Sequence, residues 1–138
     1  MGSRRTSPEK SGSLTAALVP RLRRTDLLRC LRERGTYATT GARILMDFRV
    51  GVSEMGGECL VRGRRVRIKA AVHACAPIAC VDLIRNGRVI RSIRGKGPDL
   101  SFVLPKVPMP AGSHWLLLRV KQADGEIAWT SPVWCTAR

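Results

Sequence analysis

Three side chains that can bind a metal ion lie close together in the sequence. The stretch "HACAPIAC" contains His73, Cys75 and Cys80. Imidazole nitrogen and thiolate sulfur are ligands that zinc prefers, but a structural zinc site needs four ligands, and no fourth stands nearby at a usual spacing. The alternative interpretation is that these cysteines act as small apolar residues at the end of a strand. The three residues are therefore retained as candidates, and the prediction is that this chain holds no metal.

Other catalytic groups are sparse. His73 and His114 are each isolated among apolar or small neighbours, and a lone histidine on a strand is more often a surface or core residue than a ligand. The ten acidic residues form no pair at a spacing that suggests acid–base catalysis, and "GKGP" is a turn without the rest of a phosphate-binding loop. The residues by themselves predict no catalytic site.

The stretch "TYATTG" is rich in hydroxyl groups. Its hydroxyls can hydrogen-bond a ligand, but hydroxyls followed by a glycine also simply form a turn. Both interpretations remain open from the sequence. The six residues of this stretch are Thr36, Tyr37, Ala38, Thr39, Thr40 and Gly41.

The chain is strongly basic, with 25 Lys and Arg residues against 10 Asp and Glu residues and a formal net charge of +15. Such an excess attracts polyanions whatever their sequence. The basic residues are spread over the whole chain instead of forming one stripe, and aromatic residues make up only 4% of it, too few to suggest a stacking platform for single strands. We therefore expect non-specific adhesion to polyanions and no specific nucleic-acid partner.

The cysteines and the apolar runs indicate in which cellular compartment the protein is expected. The five cysteines are odd in number, irregularly spaced and without a C-x-x-C pair, so they predict no disulfide framework. No apolar run approaches the length of a membrane span, and the first ten residues lack the apolar centre of a secretory signal. A cytoplasmic protein with reduced thiols and no membrane partner is expected.

The N-terminal third predicts one short helix. Residues 1–13 contain Ser, Gly, Pro and charge with nothing to bury, which is typical of a disordered segment. After Pro20, Thr25 is a plausible N-cap, and Gly35 ends the helix. An apolar stripe on this helix needs something to pack against, because so short a helix is not stable alone. The stripe consists of Leu27, Leu28 and Leu31.

From residue 42 onward the apolar period is two, as in strands. "RRVRIKAAV" alternates basic and apolar residues, and Asn86-Gly87 between two apolar runs is the strongest short signal for a hairpin. A two-residue turn there pairs Arg85 with Arg88 and, further out, Asp82 with Arg91. "ADG" indicates a second hairpin, and Pro132 should break the last strand or leave it at an edge.

About seven short strands with turns between them are typical of an antiparallel β-sandwich. The predicted fold class is therefore mainly β, an immunoglobulin-like sandwich of about seven strands preceded by one short α-helix. The Cys…Trp…Cys spacing of a true immunoglobulin domain is missing, so the prediction concerns the sandwich architecture only.

The segment "SLTAALVPRLRRTDLLRCLRERGTYATTGARILMDFRV" resembles the end of the catalytic domain in PHP-type (polymerase and histidinol phosphatase-like) metallohydrolases of the carbaryl-hydrolase-related subgroup. Met55-Gly56, the "PIACVDLIRNGRVI" hairpin and the ending "RVKQADGEIAWTSPVW" also match. The sequence departs from the family pattern at "SGSLTA", which has an inserted serine, and at "VGV", where the family has "VNG". In that family, histidines and acids of a preceding barrel hold divalent metal ions.

The resemblance implies a domain organisation and a function. Residues 14–41 would be the remnant of the last helix and linker of a catalytic domain, and residues 42–138 a β-sandwich domain. The chain is then a non-catalytic C-terminal fragment of a PHP-type hydrolase, whose residues 14–34 contact a catalytic barrel or a second copy of the chain. Two alternatives are a stand-alone basic binding module and a hydrolase subunit that needs a separately encoded barrel.

Overall fold

The computed structural model describes residues 13–138, so the disorder predicted for residues 1–13 lies outside the described residues except at Ser13. The described chain contains one helix, α1 (Arg24–Arg32), and twelve strands. None of its helices is long and apolar enough to cross a membrane. The strands are β1 (Leu14–Ala17), β2 (Thr36–Thr39), β3 (Leu45–Val50), β4 (Ser53–Glu54), β5 (Glu58–Val61), β6 (Arg65–His73), β7 (Ile78–Arg85), β8 (Arg88–Arg94), β9 (Asp99–Pro108), β10 (Gly112–Gln122), β11 (Ile127–Thr130) and β12 (Val133–Ala137).

The strands form two sheets that pack face to face, which confirms the predicted β-sandwich. The small sheet has the order β4-β3-β6-β9. In the large sheet, β10 is the central strand, with β7 and then β8 on one side and with β11 and β12 on the other. Strand β2 continues the sheet beyond β11, and β1 pairs with β2, whereas β5 pairs with β12 in the one parallel pairing found in residues 13–138. The strands are more numerous than the seven predicted.

The core lies between the two sheets and follows the predicted alternation. Along β6 the apolar side chains from Val66 to Val72 point inward and the basic ones outward. The facing strand β10 contributes Leu116, Leu118 and Val120, which are fully buried. Since burying one such side chain stabilises the fold by roughly 1.5–3 kcal/mol, this shared interior is the main source of stability.

The Asn86-Gly87 hairpin forms as predicted near its turn and differs further out. Both turn residues have positive φ, +50° and +84°, as a type I′ turn requires. Arg85 pairs with Arg88 as expected, but a β-bulge then shifts the register, so that Asp82 pairs with Ser92 and the predicted cross-strand pair with Arg91 is wrong. Ile90 and Ile93 of β8 are three positions apart, so regular alternation would place them on opposite sides of the strand. The extra residue of the bulge allows both to lie on the same side.

Prolines act differently in two strands. The predicted break at Pro132 is confirmed, since it separates β11 from β12. Pro105, in contrast, lies within β9, which continues to Pro108. Strand β9 is the edge of the small sheet. A proline fits there because its missing N–H can face away from the neighbouring strand, so that no hydrogen bond between strands is lost.

Helix α1 has the predicted location but not the predicted cap. Arg23, not Thr25, stands at the N-cap, and its side chain makes no capping hydrogen bond. The helix therefore begins earlier than expected, with Thr25 inside its first turn. At the other end Arg34 has the left-handed φ of +59°, and the Gly35 N–H donates to the Cys30 carbonyl at 2.9 Å.

Residues 14–41 contain two strands besides the predicted helix. β1 pairs with β2, and β2 pairs with β11 of the sandwich. The backbone of this segment is thus continuous with the large sheet. The sequence did not predict these two strands, because each is stabilised by a partner strand elsewhere in the chain.

Candidate functional site

The segments that carry the family resemblance meet in the structure. The strand formed by "TYAT" pairs with the strand formed by "IAWT", and Ala38 lies opposite Trp129. The loop containing Met55-Gly56 joins them, because the Gly56 N–H donates to the Pro132 carbonyl at 2.9 Å. Stretches that are about 20 to 90 residues apart in the sequence therefore form one junction.

The hydroxyl groups of "TYATTG" bond within this junction. The Thr40 hydroxyl donates to Glu126 and accepts the Ile127 N–H at 2.9 Å. The Thr36 carbonyl accepts two bonds from Ser131, one from its hydroxyl at 2.5 Å and one from its N–H at 3.1 Å. The sequence left open whether these hydroxyls bind a ligand or form a turn. They bond within the protein, which supports a structural role, but they join two strands instead of forming a turn.

Tyr37 and Thr39 point into the core from the same strand. Tyr37 is buried, and burial raises the pKa of its phenol above the ordinary value, partly opposed by a hydrogen bond with the Met46 backbone. The Thr39 hydroxyl accepts the N–H of Gly41 at 3.2 Å. A phenol with a raised pKa stays protonated near neutral pH.

Helix α1 is fastened to the junction at Gly56. The guanidinium of Arg34 donates through Nε to the Gly56 carbonyl at 3.0 Å. Gly56 has a φ of +84°, and a Cβ at this position would lie 2.2 Å from the Arg34 carbonyl oxygen. Only glycine allows this close approach, so the end of the helix segment and the β4–β5 loop fit each other.

The candidate metal ligands are not brought together. His73 lies on the small sheet and bonds Asp99 at 2.8 Å, while Cys80 lies on the large sheet, opposite Arg94. The Cys75 thiol donates to the Arg43 carbonyl at 2.9 Å. Within residues 13–138 no three His, Cys, Asp or Glu side chains are arranged to hold a metal ion.

His114 has a structural role that fixes its tautomer. Its Nδ1 lies 2.9 Å from the side-chain nitrogen of Asn86, which can only donate, and its Nε2 lies 2.7 Å from the Pro110 carbonyl, which can only accept. In this arrangement Nδ1 accepts from Asn86 and Nε2 donates to the Pro110 carbonyl. Asn86 in turn accepts the Trp115 N–H at 2.9 Å, so the hairpin turn and β10 are bonded to each other.

The tryptophans were not predicted to act together, yet all three lie on the outer face of the large sheet. Trp115 is opposite Trp134 in the β10–β12 pairing, and Trp129 is opposite Arg119 in the β10–β11 pairing. Trp134 is 43% exposed, and the other two are partly exposed. The signal was present in the sequence: each tryptophan directly follows or precedes residues of the buried face, so strand alternation puts it outside.

A charged cluster lies beside these tryptophans. Asp82 is largely buried and accepts hydrogen bonds from Arg119 at 2.8 Å and from the Ser92 hydroxyl at 2.7 Å. Burial alone raises the pKa of Asp82, but the bonds from Arg119 and Ser92 and the charges of Arg119 and Lys121 outweigh it, and the pKa falls below its ordinary value. Asp82 is therefore ionised at neutral pH.

An open hollow of about 650 Å³ lies next to this face, where β5, β12 and the start of β10 meet. Its lining mixes the Trp134 indole with charged groups and hydroxyls, among them Glu58, Arg138, Ser113 and Thr136. Such a mixture can contact a polar ligand.

Comparisons with known proteins extend this description. No family model matches the chain. An uncharacterized protein of Chlamydia trachomatis serovar D is 32% identical over 142 residues, which cover 90% of this chain and 22% of the relative. An uncharacterized protein of Chlamydia pneumoniae is 32% identical over 141 residues, covering 90% of this chain and 23% of its own length. The chain thus spans about a fifth of the curated relatives it matches.

Among solved structures, a Jonesia denitrificans lytic polysaccharide monooxygenase is similar with a TM-score of 0.43 and 12% identity, over 59% of this chain and 58% of that chain. A likeness at this level carries no argument about function. The conclusion from the comparisons is that the chain is similar to one part of longer chlamydial proteins.

Proposed function

We propose that this chain is the non-catalytic β-sandwich of a PHP-type metallohydrolase, and that it docks onto the metal-binding barrel through residues 14–34. The identity of the parent enzyme rests on the resemblance of the "TYATTG" and "QADGEIAWTSPVW" stretches. The docking role rests on one observation, the concentration of exposed leucines on residues 14–34.

Six of the twelve large apolar side chains that are exposed in residues 13–138 lie between residues 14 and 31. The stripe on α1 is exposed by 38–50%, whereas Cys30 at the margin of the stripe is buried. Single exposed apolar residues are ordinary, but a cluster marks an interaction surface. The six are Leu14, Leu18, Leu22, Leu27, Leu28 and Leu31.

These leucines are held at a fixed place on the sandwich. The Leu18 N–H donates to the Gly35 carbonyl at 3.0 Å, and the Cys30 thiol donates to the same carbonyl at 2.9 Å. Together with the contact of Arg34 with Gly56, these bonds connect both ends of the segment to the β-sheet. A surface that is preorganised in this way loses little entropy on binding.

The length of the relatives supports a covering domain. This chain corresponds to 22–23% of the chlamydial proteins, so most of each relative lies outside the matched region. A barrel in the same polypeptide, or one supplied by a separate reading frame, would cover the leucines equally well. If a reading frame for such a barrel were found directly upstream, it would favour a barrel supplied as a separate chain.

The test is binding to a separately produced barrel domain from a PHP-type hydrolase of this subgroup, measured by titration calorimetry. The double variant Leu27→Glu/Leu31→Glu places charges on the stripe while keeping residues that favour a helix. We expect it to weaken binding at least tenfold. The control is Leu45→Glu, a more exposed leucine on the small sheet, and this variant should bind like the natural chain.

Two results would refute the docking proposal: no binding of the natural chain to the barrel, or equal binding by the double variant. Light scattering on the same proteins measures the alternative occupant, a second copy of the chain. If the natural chain forms dimers and the double variant is monomeric, self-association uses the same face.

A second candidate function is that of a basic binding module, and the outer face with its three tryptophans favours it. Indole rings beside Arg119 and Lys121 provide stacking and positive charge together. Titration with heparin and with single-stranded DNA, followed by tryptophan fluorescence, tests this function. Saturable quenching that Trp134→Ala reduces and Leu45→Glu does not would support it, and quenching unaffected by Trp134→Ala would exclude this face.

A further inference from the structure

Two cysteines lie directly opposite each other in neighbouring strands. Cys59 of β5 and Cys135 of β12 are partners in the parallel pairing, and both point toward the core. Neighbouring strands lie about 4.8 Å apart, and a disulfide requires Cα atoms roughly 4.4–6.8 Å apart. The backbone therefore already has the spacing for a disulfide.

The Cys59 thiol is part of the surroundings of the Cys135 thiol, whose Sγ donates to the Val133 carbonyl at 3.8 Å. Burial, together with the charge of the adjoining Cys59 and a hydrogen bond with it, raises the pKa of Cys135 to about 12. Cys135 is only 2% exposed, whereas Cys59 is partly exposed, and both line the open hollow beside Trp134. A small reagent can therefore reach Cys59 first.

The other three cysteines of the chain lack such a partner. Within the described strands, Cys80 pairs with Lys121 and Arg94. The thiols of Cys30 and Cys75 donate to backbone carbonyls at 2.9 Å. The opposed pair is thus distinguished by geometry from the remaining thiols in residues 13–138.

We propose that Cys59 and Cys135 form a reversible disulfide, with a low-molecular-weight disulfide such as oxidised glutathione as the oxidant. The Cys59 thiolate attacks one sulfur of the oxidant, forms a mixed disulfide and releases one thiol. Cys135 then gives up its proton to the solvent and attacks the Cys59 sulfur, which releases the second thiol. The two protein thiols lose two electrons and two protons, and the oxidant becomes two thiols.

The bond would fasten an edge of the large sheet. β5 pairs only with β12 among the described strands, and it directly follows the Gly56 loop that holds the end of the α1 segment. Directly opposed residues of these parallel strands are separated by about the strand spacing of 4.8 Å, whereas the Cβ atoms of a disulfide are about 3.8 Å apart. The strands must be drawn together, and the resulting strain makes the bond easier to reduce. A reversible bond is expected for this reason.

The experiment uses the full chain under native conditions with oxidised glutathione, followed by acid quenching, alkylation of the remaining thiols and peptide mapping by mass spectrometry. The expected product is a cross-linked pair of peptides containing Cys59 and Cys135, which dithiothreitol reverses. Cys80→Ala is the matched control and should give the same product at the same rate.

The variant Cys135→Ala tests the order of the two steps. Without a second thiol, the reaction should stop at glutathione attached to Cys59. If this variant does not fold, the peptide map of the natural chain still shows whether the disulfide between the two cysteines forms. Three results would each overturn the proposal. They are alkylation of both Cys59 and Cys135 after the oxidation step, glutathione that persists on Cys59 of the natural chain, and a disulfide that uses Cys75 or Cys80.

Discussion

The strands of the sandwich and helix α1 are both amphipathic, but their apolar faces have different surroundings. Ile68 and Leu118 are fully buried between the two sheets, whereas Leu27, Leu28 and Leu31 are 38–50% exposed. In the sandwich, the apolar face of one sheet covers that of the other. The stripe has no such cover within residues 13–138.

The difference shows what an amphipathic pattern specifies. It determines that one face of an element is suited to burial, but the covering surface depends on another part of the chain or on another molecule. The segment of α1 is held on the sandwich by hydrogen bonds and by the β1–β2 pairing. Its leucines therefore contribute less to the stability of the fold than the leucines between the sheets.

The largest expected effect compares leucines from the two regions. Leu118→Ala creates a cavity in the core and should lower the free energy of unfolding by about 2–5 kcal/mol. Leu28→Ala, on an exposed helix face, should lower it by less than about 1 kcal/mol. Urea denaturation of both variants measures the difference. Equal losses would mean that the stripe is covered by the chain itself or by a second copy.

The next effect concerns the place where the two regions join. Gly56 and Gly87 have the same φ of +84°, but a Cβ at Gly56 would collide with the Arg34 backbone, whereas a Cβ at Gly87 meets nothing within 4 Å. We expect Gly56→Ala to cost roughly 3 kcal/mol through overpacking and strain, and Gly87→Ala roughly 1 kcal/mol through strain alone. Thermal unfolding ranks the two, and equal melting temperatures would contradict the close approach at Gly56.

A smaller effect is expected for the buried carboxylate of Asp82 than for the buried apolar groups. Asp82→Asn removes the charge that Arg119 pairs with, and should cost about 1–2 kcal/mol at neutral pH. Because the folded-state pKa of Asp82 is lowered, its contribution is present above the unfolded value near pH 3.9 and disappears as the pH falls through the folded value.

The difference between natural chain and Asp82→Asn in urea denaturation should therefore shrink below about pH 4. Asp47→Asn is the control, because its carboxylate is half exposed and pairs with Arg49 at 3.7 Å. It should change stability little at any pH. A difference for Asp82→Asn that persists at low pH would assign the effect to packing.

The smallest expected effect is that of metal removal, since neither region is expected to depend on a metal ion. A chelator should leave the melting temperature unchanged, and elemental analysis should find less than stoichiometric zinc, manganese or iron. His73→Ala and Cys75→Ser should melt like the natural chain. A stoichiometric metal that these substitutions release would restore the "HACAPIAC" stretch as a metal site.

Much of the sandwich could be predicted because its signals are local. Alternation along β6 and the Asn86-Gly87 turn were both read correctly from a few neighbouring residues. The bulge in β7–β8, the cap at Arg23 and the strands β1 and β2 were not, because each depends on what a distant strand or loop provides. Two hydroxyls of "TYATTG" illustrate this dependence: the partners of Thr36 and Thr40 lie 95 and 86 residues away.

The sequence by itself determined the mainly β class, the alternation of core and surface positions and the apolar stripe of the helix, since these follow from residue types at fixed spacings. Only the tertiary structure decided that three tryptophans share one outer face, that Cys59 meets Cys135, and that His73 and Cys80 lie on different sheets. The physical reason is that strand order and register arise from packing two apolar faces together, and that packing brings together residues whose separation in the sequence carries no signal.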